Sequence, residues 1–133
     1  MAQDEHNAVP LLDQAVLERL RTELEDDDGV WKVFVQNFIE HLPHRTEKMR
    51  LTLTTGDLTG AMDAVLSLKT SSQMVGAERL ATLAMDLEQS LRDEGIDIEP
   101  ARALPRLAAE HLRQIIRCAR QTTYLLQKYL HAG

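Results

Sequence analysis

Aromatic side chains are scarce in this sequence: one Trp, two Phe and two Tyr among 133 residues. A β-sandwich, which draws heavily on aromatic and β-branched packing, is disfavoured. The apolar 44% of the chain is mostly aliphatic, rich in residues that form helices well. Cysteine is almost missing. Cys118 alone cannot close an internal disulfide, so a reducing, cytoplasmic setting is the simpler expectation. No apolar run approaches a membrane span, and the polar stretch 1–10 lacks signal-peptide character. Basic residues are outnumbered, 15 Lys and Arg against 21 Asp and Glu, and the net charge of −6 opposes nonspecific binding to nucleic acid or anionic membrane. There is no Gly-rich phosphate loop, no nucleophile–base arrangement of the hydrolase type and no zinc-spaced cluster. No cofactor and no metal are therefore expected.

What is present is helical periodicity in a chain of single-domain length. Residues 1–10 are polar, end in Pro10, and are expected to form a flexible tail before a bundle domain spanning 11–131. Asp13 suits the N-cap of a short helix carrying Val16, Leu17, Leu20 and Leu24. That helix should stop in the acidic run 25–28 and Gly29.

A second helix is expected from about Val30 to Thr55, with Trp31, Phe34, Val35, Phe38, Leu42, Met49 and Leu53 on one stripe and a bend at Pro43. A third, Leu58 to Val75, buries Leu58, Ala61, Met62, Val65, Leu68 and Ser72. A fourth, Ala77 to Glu94, buries Leu80, Leu83, Ala84, Leu87 and Leu91, with Gly95 placed as its C-terminal cap. The fifth, about Pro100 to Leu130, carries a stripe from Leu104 to Tyr129 that includes His111 and Ile115. Its opposite side bears Arg102, Arg106, Arg113, Arg117 and Arg120. Short connections between long amphipathic helices predict an all-α fold: an antiparallel up-and-down four-helix bundle with an additional short N-terminal helix.

The third helix carries a motif. Residues Ala64 to Ala77 read AVLSLKTSSQMVGA, and this resembles the signature of histidine-containing phosphotransfer (HPt) domains, roughly A-H-x-L-K-G-S-x-x-x-G-A. Leu68-Lys69, Ser71-Ser72 and Gly76-Ala77 match it, as do Leu80 and Leu87-Glu88 downstream and Leu53, Gly56 and Asp57 upstream. The spacing of Phe34 and Phe38 with Leu42-Pro43 is similar too, so the resemblance extends from about Asp13 to Tyr129.

The resemblance implies a histidine two residues before the motif's Leu, where the family accepts a phosphoryl group. Leu66 stands there, and no histidine lies between His44 and His111. The glycine after the family's Lys is Thr70. Leucine has no lone pair with which to attack an aspartyl phosphate, so transfer at this position is chemically excluded. The implication is a pseudo-HPt module, not an enzyme: the fold and a docking surface for a response-regulator receiver domain, without the acceptor. A sensor kinase is a second candidate partner.

The helical wheel sets Leu66 on the polar side of the third helix with Asp63, Thr70 and Gln73. As an exposed leucine it either meets a partner or packs against the first helix or a second copy of the chain. Lys69 either offsets the acidic pocket of a receiver or lies along the bundle edge. Partner-binding residues are thus expected to be Asp63, Leu66, Lys69, Thr70 and Gln73, on a monomer or weak dimer.

Two other readings stand beside this one: a structural or self-associating helical bundle, and phosphotransfer through a non-canonical histidine. Against the second, His44 lies on another helix and lacks the motif's Lys, while His111 falls in an apolar stripe and reads as a hydrogen-bonded core imidazole. His41 and His44 have no third metal ligand near them in sequence. The arginine stripe reads as a solvated outer face, since no aromatic residue interleaves with it. Cys118 reads as a small apolar filler.

Overall fold

The computed structural model describes residues 9–24, 29–97 and 99–132. Five helices occupy almost all of them: α1 (Gln14–Glu23), α2 (Val30–Thr54), α3 (Leu58–Met74), α4 (Glu78–Asp97) and α5 (Pro100–Ala132). No strand occurs among the described residues. Helix α2 packs against α3 and α5, and α4 packs against the same two, which closes the four long helices into a ring around one core.

Local chemistry sets the helix ends. Asp13 caps α1 through Oδ1, which accepts from the backbone N–H of Ala15 at 2.9 Å and Val16 at 3.4 Å. Asp57 caps α3 in the same way, accepting from Gly60 N–H at 2.9 Å. Helices α2 and α3 both end in a left-handed glycine, Gly56 at φ 75° and Gly76 at φ 74°. At Gly76 a Cβ would come within 2.9 Å of the Asp13 carbonyl oxygen. That closeness reflects a tether, because the Asp13 N–H donates to Gly76 O at 2.7 Å and so ties the start of α1 to the α3–α4 turn.

The aliphatic stripes meet inside. Val35, Met49, Leu53, Val65, Leu68, Leu80, Leu87, Leu104, Leu107 and Leu126 are fully buried, and Leu17 brings α1 onto the same core. Trp31 closes one end, edge-on to Tyr129 with ring centroids 5.7 Å apart, while the Tyr129 hydroxyl donates to Glu18 Oε1 at 3.1 Å. Burial raises the Tyr129 pKa, and the Glu18 carboxylate adds to the shift.

Several expectations need correction. Helix α4 does not stop at Gly95 but continues to Asp97. Helix α2, by contrast, is continuous from Val30 to Thr54 with Pro43 inside it, as expected, and the missing N–H deprives the Ile39 carbonyl of its usual donor. Phe34 is only half-buried, because it lies at the α2–α3 edge rather than in the stripe's centre. His111 is likewise half-buried, with Nε2 3.4 Å from Ser90 Oγ. Of the expected N-terminal tail, 1–8 lies outside the described residues, as does the acidic run 25–28; Val9 is described, and its carbonyl accepts from Arg79 Nε at 2.8 Å.

Candidate functional site

The outward side of α3 carries the residues expected to bind a partner, while Leu68 and Ser72 of the motif face the core. Asp63, Thr70 and Gln73 are exposed. Leu66 is not freely exposed as the helical wheel suggested: it is half-buried and packs against the edge of the core. The tilt and closeness of neighbouring helices, which a wheel ignores, account for the difference. Leu66 is thus an apolar side chain partly engaged within the protein and partly open to solvent.

Lys69 is engaged as well. Its Nζ lies 2.8 Å from Glu88 Oε1 on α4, with side-chain exposures of 24% and 13% that mark a sheltered pair. Arg92, one turn along α4, reaches the other oxygen of Glu88 at 2.8 Å. These two donors, Lys69 first and Arg92 second, pull the Glu88 pKa below the ordinary carboxylate range against the opposing effect of burial. Glu88 thus remains ionised and holds Lys69 along the α3–α4 seam.

Ser71 donates back to the Ser67 carbonyl at 2.7 Å, an internal helix contact. Ser72 is fully buried, and its Oγ has no hydrogen-bond partner. Its small volume lets α3 approach the core closely.

The opposite edge of α3 holds what the motif did not reveal. His41, His44, Arg45 and Lys48 follow i, i+3, i+4, i+7 spacing on α2 and face Asp63, Ala64 and Ser67 across a recess of about 180 Å³. Arg45 Nε donates to Ser67 Oγ at 3.4 Å, and its Nη1 is shut off from solvent with no acceptor. His41 Nδ1 donates to the Asn37 carbonyl at 2.7 Å. The recess continues into an apolar groove lined by Phe34, Phe38, Met74 and Val75. The spacing was visible in the sequence; which edge of α2 turns toward α3 was not. Packing turns His44 and its neighbours on α2, Arg45 and Lys48, together toward this recess.

The five arginines of α5 are all exposed, and Arg106 lies 3.9 Å from Glu110. Cys118 is buried, with burial raising its thiol pKa against the smaller opposing effects of Thr122 and Arg79. Among the described residues, no group of three or more His, Cys, Asp or Glu side chains is placed to hold a metal ion, and no helix is long and apolar enough to cross a membrane.

The Hpt domain family matches residues 33–122, a span that runs from the start of α2 to most of the way along α5 and contains the whole α3 motif. The chain belongs to that family, the phosphotransfer modules of two-component phosphorelays. Its fold is similar to the crystal structure of histidine-containing phosphotransfer protein B (HptB) from Pseudomonas aeruginosa, with a TM-score of 0.75 and 24% identity over 93% of this chain and 97% of that one. No curated protein matches the sequence.

Proposed function

We propose that this chain is a non-catalytic HPt module that binds a response-regulator receiver domain through the outward face of α3 without accepting phosphate. The observation that carries this reading is Leu66, half-buried at the family's acceptor position and without a nucleophilic atom. The face around it combines that apolar centre with a polar rim of Asp63, Thr70 and Gln73, the arrangement by which a partner's apolar side chain is desolvated at the middle of an interface. Lys69, held by Glu88, borders this surface instead of meeting a phosphohistidine. Such a module would act in the cytoplasm as a monomer or weak dimer, with no cofactor, and would compete with phosphate-carrying HPt proteins for their receivers.

The test is a binding screen against the receiver domains of the source organism, followed by two variants of this chain. Leu66→Asp places an unpaired charge at the centre of the contact and should weaken binding by roughly 2 kcal/mol, about thirtyfold, with helicity unchanged. Arg106→Ala, on the outer face of α5, should change it little. Equal losses from the two would contradict docking at α3, and a folded protein that binds no receiver would favour the self-associating bundle instead.

A second reading has one observation in its favour. His44 is exposed and shares the α2–α3 recess with Arg45 and Lys48, so phosphotransfer through this histidine has cationic groups at hand. Phosphopeptide mass spectrometry after incubation with a charged receiver decides it: phosphohistidine at His44 establishes this reading and removes the non-catalytic one.

A further inference from the structure

The recess between α2 and α3 is electrostatically unbalanced. The chain as a whole carries a net charge of −6, yet this recess draws Arg45, Lys48, His41 and His44 to one place against a single carboxylate, Asp63. Asp63 does not neutralise them: among the described residues it makes no ion pair within 4.0 Å with Arg45, Lys48 or His44. An arginine cannot shed its proton to escape burial. Arg45 Nη1 is closed even to water, so that nitrogen is not itself a contact for an anion; it keeps a desolvated positive charge in the wall of the recess, and an anion in the recess would offset that charge.

The donors that line the recess suit an oxyanion. Ser67 Oγ accepts from Arg45 Nε at 3.4 Å, which fixes one edge of the guanidinium and leaves the serine O–H free to donate. Lys48 and His44 stand one turn apart on the same side of α2, exposed at the rim of the same recess. The Asn37 carbonyl accepts from His41 Nδ1, so in the neutral imidazole Nε2 is an acceptor and His41 bounds the recess without donating into it. Guanidinium, ammonium, imidazole and hydroxyl donors converge on about 180 Å³. A planar carboxylate presents two oxygens; a phosphoryl group presents three terminal oxygens in a tetrahedral array and uses such a donor set more completely.

We propose that this recess is a binding site for a phosphoryl oxyanion, held without covalent transfer by Arg45, Lys48 and His44 and backed by Ser67. The site does not depend on receiver docking at Leu66, and either could exist without the other. Free orthophosphate and a phosphoryl group carried as a monoester share the chemistry, and the experiment separates them.

The full chain is titrated with inorganic phosphate, and with O-phosphoserine as a monoester, at constant ionic strength. The Arg45 Nε–H and His44 ring signals are followed by NMR, with chloride as the reference anion. Saturable shifts at both residues are expected, absent in chloride. Arg45→Gln should weaken binding at least tenfold and Lys48→Gln at least threefold, whereas Arg120→Gln on α5 should leave it unchanged. Lys48 is exposed, so its variant keeps the test valid if Arg45→Gln folds poorly. Tighter binding of the monoester assigns the site to a carried phosphoryl group, and tighter binding of orthophosphate assigns it to the free ion; both support an oxyanion site. Shifts that fail to saturate, that chloride reproduces, or that survive Lys48→Gln undiminished would overturn the proposal, as would covalent phosphorylation of His44.

Discussion

Lys69 of α3 and Glu88 of α4 meet at 2.8 Å, so the motif's lysine, one turn from Leu66, is committed to a carboxylate of its own chain. In the HPt pattern that lysine stands beside a phosphorylated histidine. Here its charge is answered by an intramolecular partner, and the same carboxylate also binds Arg92. The pair ties α3 to α4 at the border of the proposed docking face.

This pair has a pH signature. The folded pKa of Glu88 is depressed, so its contribution is present in full above the ordinary carboxylate range and is lost as pH falls through the folded value. At pH 7, Glu88→Gln should cost about 1 kcal/mol, since the pair is sheltered but not deeply buried. The gap between wild type and variant should close below about pH 4. Denaturant titrations at several pH values check this; a gap that does not change with pH would show that the charge contributes nothing.

Ser72 offers a stability test of opposite sign. Its Oγ is buried without a partner, which costs more than the hydrogen bond a helical serine would otherwise make. Ser72→Ala should therefore stabilise the bundle by about 1 kcal/mol, or about 3 °C in Tm for a domain of this size. A clear loss of stability would mean that the hydroxyl is satisfied within the core.

Cys118 should be inert in the native state. Burial raises its thiol pKa and its side chain is closed to solvent, so the reactive thiolate is both scarce and inaccessible. Iodoacetamide should modify it roughly a hundredfold more slowly than in urea-unfolded protein, at a rate that tracks opening of α5. Rapid native alkylation, measured by intact mass, would contradict the burial.

The fold was legible because its determinants are local and periodic. Leu80, Leu83, Leu87 and Leu91 recur at helical spacing and are all buried, and Asp13 and Asp57 cap the helices that follow them. Gly95 misled because glycine marks a helix end only where the chain must turn left-handed, as Gly56 and Gly76 do. The site was half legible. Leu66 and Lys69 were placed by motif, but the partial burial of Leu66 depends on the packed core and the partner of Lys69 lies on α4, and a single-helix wheel contains neither. The recess of Arg45 and Lys48 was missed for the same reason: their spacing is local, whereas their confrontation with Ser67 and Asp63 arises only when α2 and α3 pack.

The central claim is that the changes at positions 66 and 70, the first above all, separate this chain from a phosphate carrier. The most direct measurement compares wild type with the double variant Leu66→His, Thr70→Gly, each incubated with a phosphorylated receiver that binds the wild-type chain and followed by intact-protein mass spectrometry. Glycine at 70 costs less than about 1 kcal/mol in the helix, a loss the bundle should tolerate. The account predicts no phosphoryl mass on the wild type, acid-labile phosphate on the double variant at position 66, and slower transfer to Leu66→His alone. A wild-type chain that takes up phosphate, or a double variant that folds and binds the receiver yet never takes it up, would contradict it.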